Sequence, residues 1–256
     1  MKLFSILLLI VACPLTLGAE LTATGHPDYP PIAWESGGSL KGASVELVKA
    51  ALKNLGHTVR FVPVGTWGRA QEEVKSGRID ILLPPYKTPK RELVYTFPER
   101  PFLMDKTAIF TKKGKVIKFN EFKDLKQFDG VAIVNDSFGD KFDKADNDHK
   151  ILKRLSKTEQ CLQFLLRGRA DYLIAGQNAA LAVISKLGLK DKFDIQEQLI
   201  IETGMYTAIS KKSVYNTKKF TESFFKEMDR LVSEKLHEKA IADALDDYSN
   251  ETQEDI

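Results

Sequence analysis

The chain has 256 residues, 43% hydrophobic and 29% charged, with a formal net charge of +3. Losing Lys2 with the leader described below leaves 37 basic against 35 acidic side chains, a near-balance that gives nucleic acid no electrostatic footing. Only Cys13 and Cys161 occur, so a disulfide framework is excluded and stability must come from packing, in one large domain or two modest ones.

The first element is a leader over residues 1–19. Met1-Lys2 precedes the apolar run Leu3 to Ala12, and the small residues Thr16 to Ala19 follow, which is the pattern of a secretory signal peptide cleaved after Gly18 or Ala19. The run is too short for a resident membrane helix, which needs about 20 apolar residues. An exported, soluble mature protein is expected. A second reading takes Ile10-Val11-Ala12-Cys13 as a lipobox-like site with Cys13 lipidated; the short apolar run ranks it lower. Cys161, among Leu162, Phe164 and Leu165, reads as a small buried hydrophobe.

Strands and helices then alternate, which predicts an α/β architecture with mainly parallel sheets. A strand near Leu21 to Gly25 leads into the proline-rich turn Pro27 to Pro31. Ser44 is positioned to cap a helix with Val45, Val48, Leu52 and Leu55 on one face, stopped by Gly56. After a strand from Thr58 to Pro63, Thr66 caps a helix carrying Trp67, Ala70 and Val74. Trp34 to Gly38 reads as a turn between short strands, and Thr88-Pro89 as a helix start. Thr107 to Thr111 is expected to leave a first lobe, with a boundary in Lys112 to Lys115.

Beyond that boundary, Gly130 to Val134 is a short buried strand, and Ser156-Lys157-Thr158-Glu159 fits a capping box before the helix of Cys161. A helix over Asn178 to Leu187, a strand over Met205 to Ser210 and helices near Val214 to Leu236 and Glu238 to Tyr248 complete the chain. Two stretches are near copies: Ser76-Gly77-Arg78-Ile79-Asp80 and Arg167-Gly168-Arg169-Ala170-Asp171, each between a helix and a buried strand. Two such units predict two similar lobes: residues 20–110 with 207–248, and residues 111–206, with 249–256 as a disordered acidic tail. Two crossings between lobes, near Ile109 and Ala208, make a hinge.

Ligands of open α/β sheets gather beyond the carboxyl ends of the strands. Arg91, in the first turn of the helix begun by Thr88, offers a planar fork for a carboxylate beside free backbone N–H groups. The alternative is an arginine paired with Glu92 or Glu99. Aromatic residues gather at strand ends, namely Tyr29, Trp34, Trp67 and Tyr86, with core packing the competitor for Trp67. Ser137, in Asp136-Ser137-Phe138-Gly139, faces from the second lobe. His26, His57, His149 and His237 show no metal-ligand spacing, Asp143, Asp146 and Asp148 read as a solvated acidic turn, and no cofactor motif is present.

These pieces together resemble the extracytoplasmic solute-binding proteins of family 3, the polar amino-acid receptors of ABC importers. The likeness rests on Tyr29-Pro30-Pro31-Ile32, Gly42, Ser76 to Asp80, Thr88-Pro89-Lys90-Arg91, Gly168 to Asp171 and Tyr206-Thr207-Ala208-Ile209, and spans the whole mature chain. It implies a two-lobed periplasmic-binding-protein fold of type II, a periplasmic monomer without catalysis, a small-molecule ligand and a membrane permease as partner. It further implies that Arg91 grips a carboxylate and that Tyr29 and Trp67 sandwich the ligand. Arg69, Thr88, Phe138 and Gln177 complete the implied ligand set. Three positions depart from the family pattern: Gly176 stands where an ammonium-holding aspartate is usual, Tyr86 replaces a small hydroxyl residue, and Phe138 replaces a threonine. A buried ammonium without an anionic partner is costly, so either another acid serves or the ligand is not an ordinary α-amino acid. A carboxylate-bearing ligand delivered to an importer is the leading expectation. A receptor for a membrane signalling protein and a dehydratase-like enzyme are the alternatives.

Overall fold

The computed structural model describes residues 20–251. The leader with Cys13, and residues 252–256, lie outside that range. Among the described residues no helix is long and apolar enough to cross a membrane.

The first lobe is a five-stranded sheet in the order β5-β1-β6-β14-β7. Its strands are β1 (Leu21–Gly25), β5 (Val59–Phe61), β6 (Ile81–Leu83), β7 (Tyr95–Thr96) and β14 (Ala208–Ser210). The second sheet runs β10-β9-β11-β8-β12, with β13 also paired to β8. Here β8 is Leu103–Lys112, β9 Gly130–Ile133, β10 Leu152–Leu155, β11 Tyr172–Gly176, β12 Phe193–Ile195 and β13 Ile201–Met205. Pairs β5·β1·β6 and β10·β9·β11 are parallel, while the strands added beyond β6 and β11 are antiparallel. The two sheets thus repeat one plan, with β6 and β11 in matching central places.

That match explains the repeated sequence. Helix α2 (Trp67–Ser76) ends at Gly77 in the left-handed region, φ 83°, and α5 (Thr158–Leu166) is followed by Gly168 at φ 66°. The aspartate that follows each glycine ties down the neighbouring strand. The Asp80 carboxylate accepts from Thr22 N at 2.9 Å, and that of Asp171 from Asp129 N at 2.8 Å.

Several local expectations change. Helix α1 (Ala43–Asn54) is capped by Gly42, not Ser44, whose hydroxyl is buried and donates to Ile32 O at 2.7 Å. Lys157 is the N-cap of α5, and Thr158 N donates to Asp28 Oδ2 instead of completing a capping box. The three aspartates expected in a solvated turn lie on α4 (Asp140–His149), where Asp146 is buried against Arg154. The lobe boundary placed after residue 110 falls inside β8, which pairs along its whole length in the second sheet. A strand of this length satisfies its backbone groups only by staying in one sheet, so the crossing precedes it, at residues 97–102. The return crossing lies between β13 and β14.

Of the expected disordered tail over residues 249–256, residues 249 and 250 extend a helix, and residues 252–256 lie outside the described range. Helices α7 (Lys218–Ser233) and α8 (Leu236–Asn250) pack on α1, and α8 also meets α6 (Gln177–Lys186) of the second lobe. Glu251, just past α8, accepts from Trp34 Nε1 at 3.0 Å, Lys41 Nζ at 2.8 Å and Lys186 Nζ at 3.3 Å. Three donors from both lobes, around a carboxylate only 7% exposed, hold Glu251 and the end of α8 in place.

Candidate ligand cleft

The parallel strands β1 and β6 of one sheet and β9 of the other point their carboxyl ends at one cleft. His26 follows β1, Pro84 follows β6 and Asp136 follows β9. Tyr29 comes from β2 (Asp28–Tyr29), which pairs with β3 (Ala33–Ser36) in a small sheet completed by β4 (Ser39–Lys41). Between the lobes remains a cavity of about 20 Å³, lined by His26, Tyr29, Trp67, Pro84, Tyr86 and Arg91 on one side and Asp136, Ser137 and Phe138 on the other. That volume admits a water molecule and not an amino acid, so the two lobes meet closely across the cleft.

Arg91 is 8% exposed. Its Nη1 donates to Tyr86 O at 3.0 Å and Nη2 to Gln71 Oε1 at 3.1 Å, and its guanidinium carbon lies 5.7 Å from the Trp67 ring centroid. Neither Glu92 nor Glu99 pairs with it; Glu92 takes Lys87 instead, at 3.3 Å. Burial lowers the Arg91 pKa, yet a guanidinium stays charged in proteins. The helix expected to add its dipole, α3 (Pro89–Glu92), is a single turn. Attraction for an anion therefore rests on the guanidinium. Thr88 caps that turn, its hydroxyl accepting from Arg91 N at 3.3 Å, so it positions the arginine without lining the cavity.

The cleft is bridged at several points. His26 Nδ1 accepts from Asp28 N at 3.0 Å, which leaves Nε2 as the donor to Asp136 Oδ1, also at 3.0 Å, across the lobes. Tyr29 and Tyr86, from the first lobe, both donate to Oδ2 of Asp105 on β8, Tyr29 at 2.5 Å. Burial and the adjacent carboxylate raise both phenols well above their usual pKa, so they remain donors. Ser137 Oγ donates to Asp143, which also accepts from Phe138 N at 2.7 Å, shaping the second wall. Phe138 stacks under Arg154, 5.5 Å from ring centroid to guanidinium.

Burial also raises the pKa of Asp105, against the lowering effect of its two phenol donors. A carboxyl with a raised folded-state pKa contributes stability that is complete below the free carboxyl value of about 4 and is lost as pH rises through the folded value. Acidification from pH 7 to pH 4.5 should therefore favour the wild type over Asp105→Asn, by on the order of 1 kcal/mol. Paired thermal melts across that range read the difference. A gap that stays constant with pH would show the carboxyl already neutral or unperturbed.

Six of the ten expected ligand residues converge here: Tyr29, Trp67, Tyr86, Arg91, Ser137 and Phe138. Trp67 satisfies both of its readings, lining the cavity while packed in the core against Ala70 and Leu82. Four do not line the cleft, Thr88 as described above and three more. Trp34 lies edge-on to Tyr248 and bonds Glu251. Arg69 is on the solvent side of α2, its Nε 3.8 Å from Glu73. Gln177 is half-buried at the start of α6 and outside the cavity wall. His26, Pro84, Asp136 and Asp105 were missed. The first three each follow a strand's carboxyl end, a signal the strand assignments already carried. Cys161 is buried, its thiol pushed up to about 12, and inert as expected.

Residues 21–239 match the model of the bacterial extracellular solute-binding proteins, family 3. The chain belongs to that family. Among curated proteins none matches it, but solved structures share the fold. A histidine kinase sensor domain described as similar to periplasmic binding proteins aligns with a TM-score of 0.75 and 21% identity, over 90% of this chain and 97% of that one. An amino acid ABC transporter substrate-binding protein from Streptococcus pneumoniae, bound to L-arginine, gives 0.72 and 21%, over 91% and 97%. An ancestral amino acid-binding protein, a precursor of cyclohexadienyl dehydratase, gives 0.69 and 20%, over 88% and 95%. This family 3 solute-binding protein thus has the two-lobed α/β fold of periplasmic binding proteins, as its sequence led one to expect.

Proposed function

We propose that this family 3 protein is an extracytoplasmic receptor that closes on a small carboxylate-bearing ligand, an amino acid or a related compound, and delivers it to the permease of an ABC importer. The reading is carried by Arg91: a guanidinium buried in the cleft wall with two neutral acceptors and, among the described residues, no carboxylate partner. A buried charge left unpaired is costly, and a ligand carboxylate supplies the missing partner. Trp67 and Tyr29 furnish the aromatic walls, and Ser137 with Phe138 the opposing face. His26, the imidazole of the cleft, has both ring nitrogens engaged, which suits binding without turnover. The leader over residues 1–19 supports export.

A thermal-shift screen of amino acids, dicarboxylates, small peptides and aromatic acids tests the ligand. One carboxylate class should raise Tm by several degrees at saturating concentration, with the compound recovered unchanged. No stabilisation by any carboxylate would refute the reading, and turnover would replace it with an enzyme. Delivery is tested separately: loaded protein should stimulate ATP hydrolysis by the reconstituted importer. Binding without stimulation would leave the receptor and remove the transport role.

A further inference from the structure

A second cavity shares no lining residue with the cleft and is far larger, at about 710 Å³. That lies within the roughly 300–1,000 Å³ of pockets that take small molecules. Both lobes build it. The first gives Leu245 of α8 and Ile32 of the loop after Tyr29; the second gives Leu181 and Ile184 of α6, Phe110 of β8 and Phe193 of β12. The floor is deep, since Ile32, Ile184 and Phe193 are buried and Phe110 wholly so. The rim is apolar as well: Leu181, Leu245 and Ile195 line the cavity while 39%, 41% and 36% exposed. Large apolar side chains gathered in water at one opening mark a binding surface. Depth sets what fits there. A flat protein face would cover the rim and leave the floor unfilled, whereas a flexible chain reaches both.

The charge of the wall has one sign. Among the described residues Lys190, in the short turn after α6, is the one charged side chain in the lining, and its ammonium makes no ion pair. Asp191 beside it is exposed and outside the wall. Lys186, on the same helix end, is already committed to Glu251 at 3.3 Å. The other polar lining residues, Asn178, Ser185 and Ser249, are neutral.

We propose that this cavity is a second ligand site, which takes an amphipathic carboxylic acid of the fatty-acid class, its carboxylate at Lys190 and its alkyl chain along the apolar floor toward α8. A small polar anion would pair the lysine and leave the walls in water. An uncharged hydrocarbon would fill the walls and leave the lysine without a counter-charge. The site is separate from the carboxylate held at Arg91 and does not rest on that reading.

The test is titration calorimetry with decanoate, well below its micelle concentration, and with decanol as the uncharged partner of equal length. Decanoate should bind the wild type at one site with a Kd on the order of 100 μM or below, and decanol about three- to tenfold more weakly. Lys190→Gln should bring the two to within about twofold. Leu181→Asp, which sets a like charge on the rim, should weaken decanoate by about tenfold or more. Both side chains are exposed, so neither change bears on folding. Arg91→Ala should bind decanoate as the wild type does. No binding of decanoate, no preference over decanol, or an affinity untouched by Leu181→Asp would overturn the proposal. Loss of decanoate binding in Arg91→Ala would place the acid in the cleft and overturn it too, leaving the carboxylate receptor standing.

Discussion

Arg91→Ala should abolish ligand-induced stabilisation while leaving the protein folded in the absence of ligand. The two halves of that result have separate causes. A guanidinium in a dry cleft wall forms short, paired hydrogen bonds with a carboxylate, and losing such a partner costs about 3–5 kcal/mol, or upwards of about 100-fold in affinity. Folding loses much less. Removing Arg91 deprives Tyr86 O and Gln71 Oε1 of a donor and ends the contact with Trp67, but it also removes a buried charge that, among the described residues, makes no direct ion pair. These effects oppose each other, and a net change within about 1–2 kcal/mol is expected. Arg91→Lys, which keeps the charge without the planar fork, should fall between the two. Calorimetry with the best carboxylate from the screen reads the affinity, and urea unfolding reads the stability. A ligand-induced shift that survives in Arg91→Ala would take this side chain out of the site.

The largest loss of stability from a single methyl group is expected at Gly42. Its φ of 124° lies where side chains are strained, and a Cβ would meet Ile32 O at 2.4 Å, Ile32 C at 2.6 Å and Ala33 Cα at 2.9 Å. All three are backbone atoms, so no rotamer change relieves the collision. The segment cannot easily drift, because Ala43 N and Ser44 N donate to Pro31 O and Ile32 O at 3.0 Å, pinning the start of α1 to the loop behind Tyr29. Gly42→Ala should cost about 3 kcal/mol or more and weaken ligand binding through displacement of Tyr29. Gly56→Ala is the control: φ is also positive, at 76°, but a Cβ there meets nothing within 4 Å. It should cost about 1 kcal/mol, the conformational strain alone. Equal losses at the two sites in urea unfolding would refute the backbone collision.

Much of the cleft was legible because its signals are local. Thr66 caps α2 as its spacing predicts, accepting from Arg69 N, and Thr88 with Pro89 opens α3. Each such pair lies within one helical turn, so sequence distance is spatial distance. Where expectation failed, the partner was remote. Trp34 was assigned to the cleft as an aromatic in a turn, but its partner is Glu251, 217 residues away. Ser44 looked like a cap until the Ile32 carbonyl drew its hydroxyl inward. Asp105 was passed over for the same reason, since nothing near it in sequence distinguishes it from a surface acid.

The sequence by itself determined the alternation of helices and strands, the duplicated helix–glycine–strand unit and the position of the arginine beside the cleft. Each of these follows from periodicity and from residues that start or stop an element, which act over a few positions. Tertiary structure alone decided that β8 belongs wholly to the second lobe, that the side-chain carboxylate of Glu251 bridges both lobes, and that Tyr29 and Tyr86 converge on Asp105. Those outcomes depend on which strands pair and which faces meet when two sheets close on one another. Contacts of that kind join residues tens to hundreds of positions apart, and no local pattern encodes them.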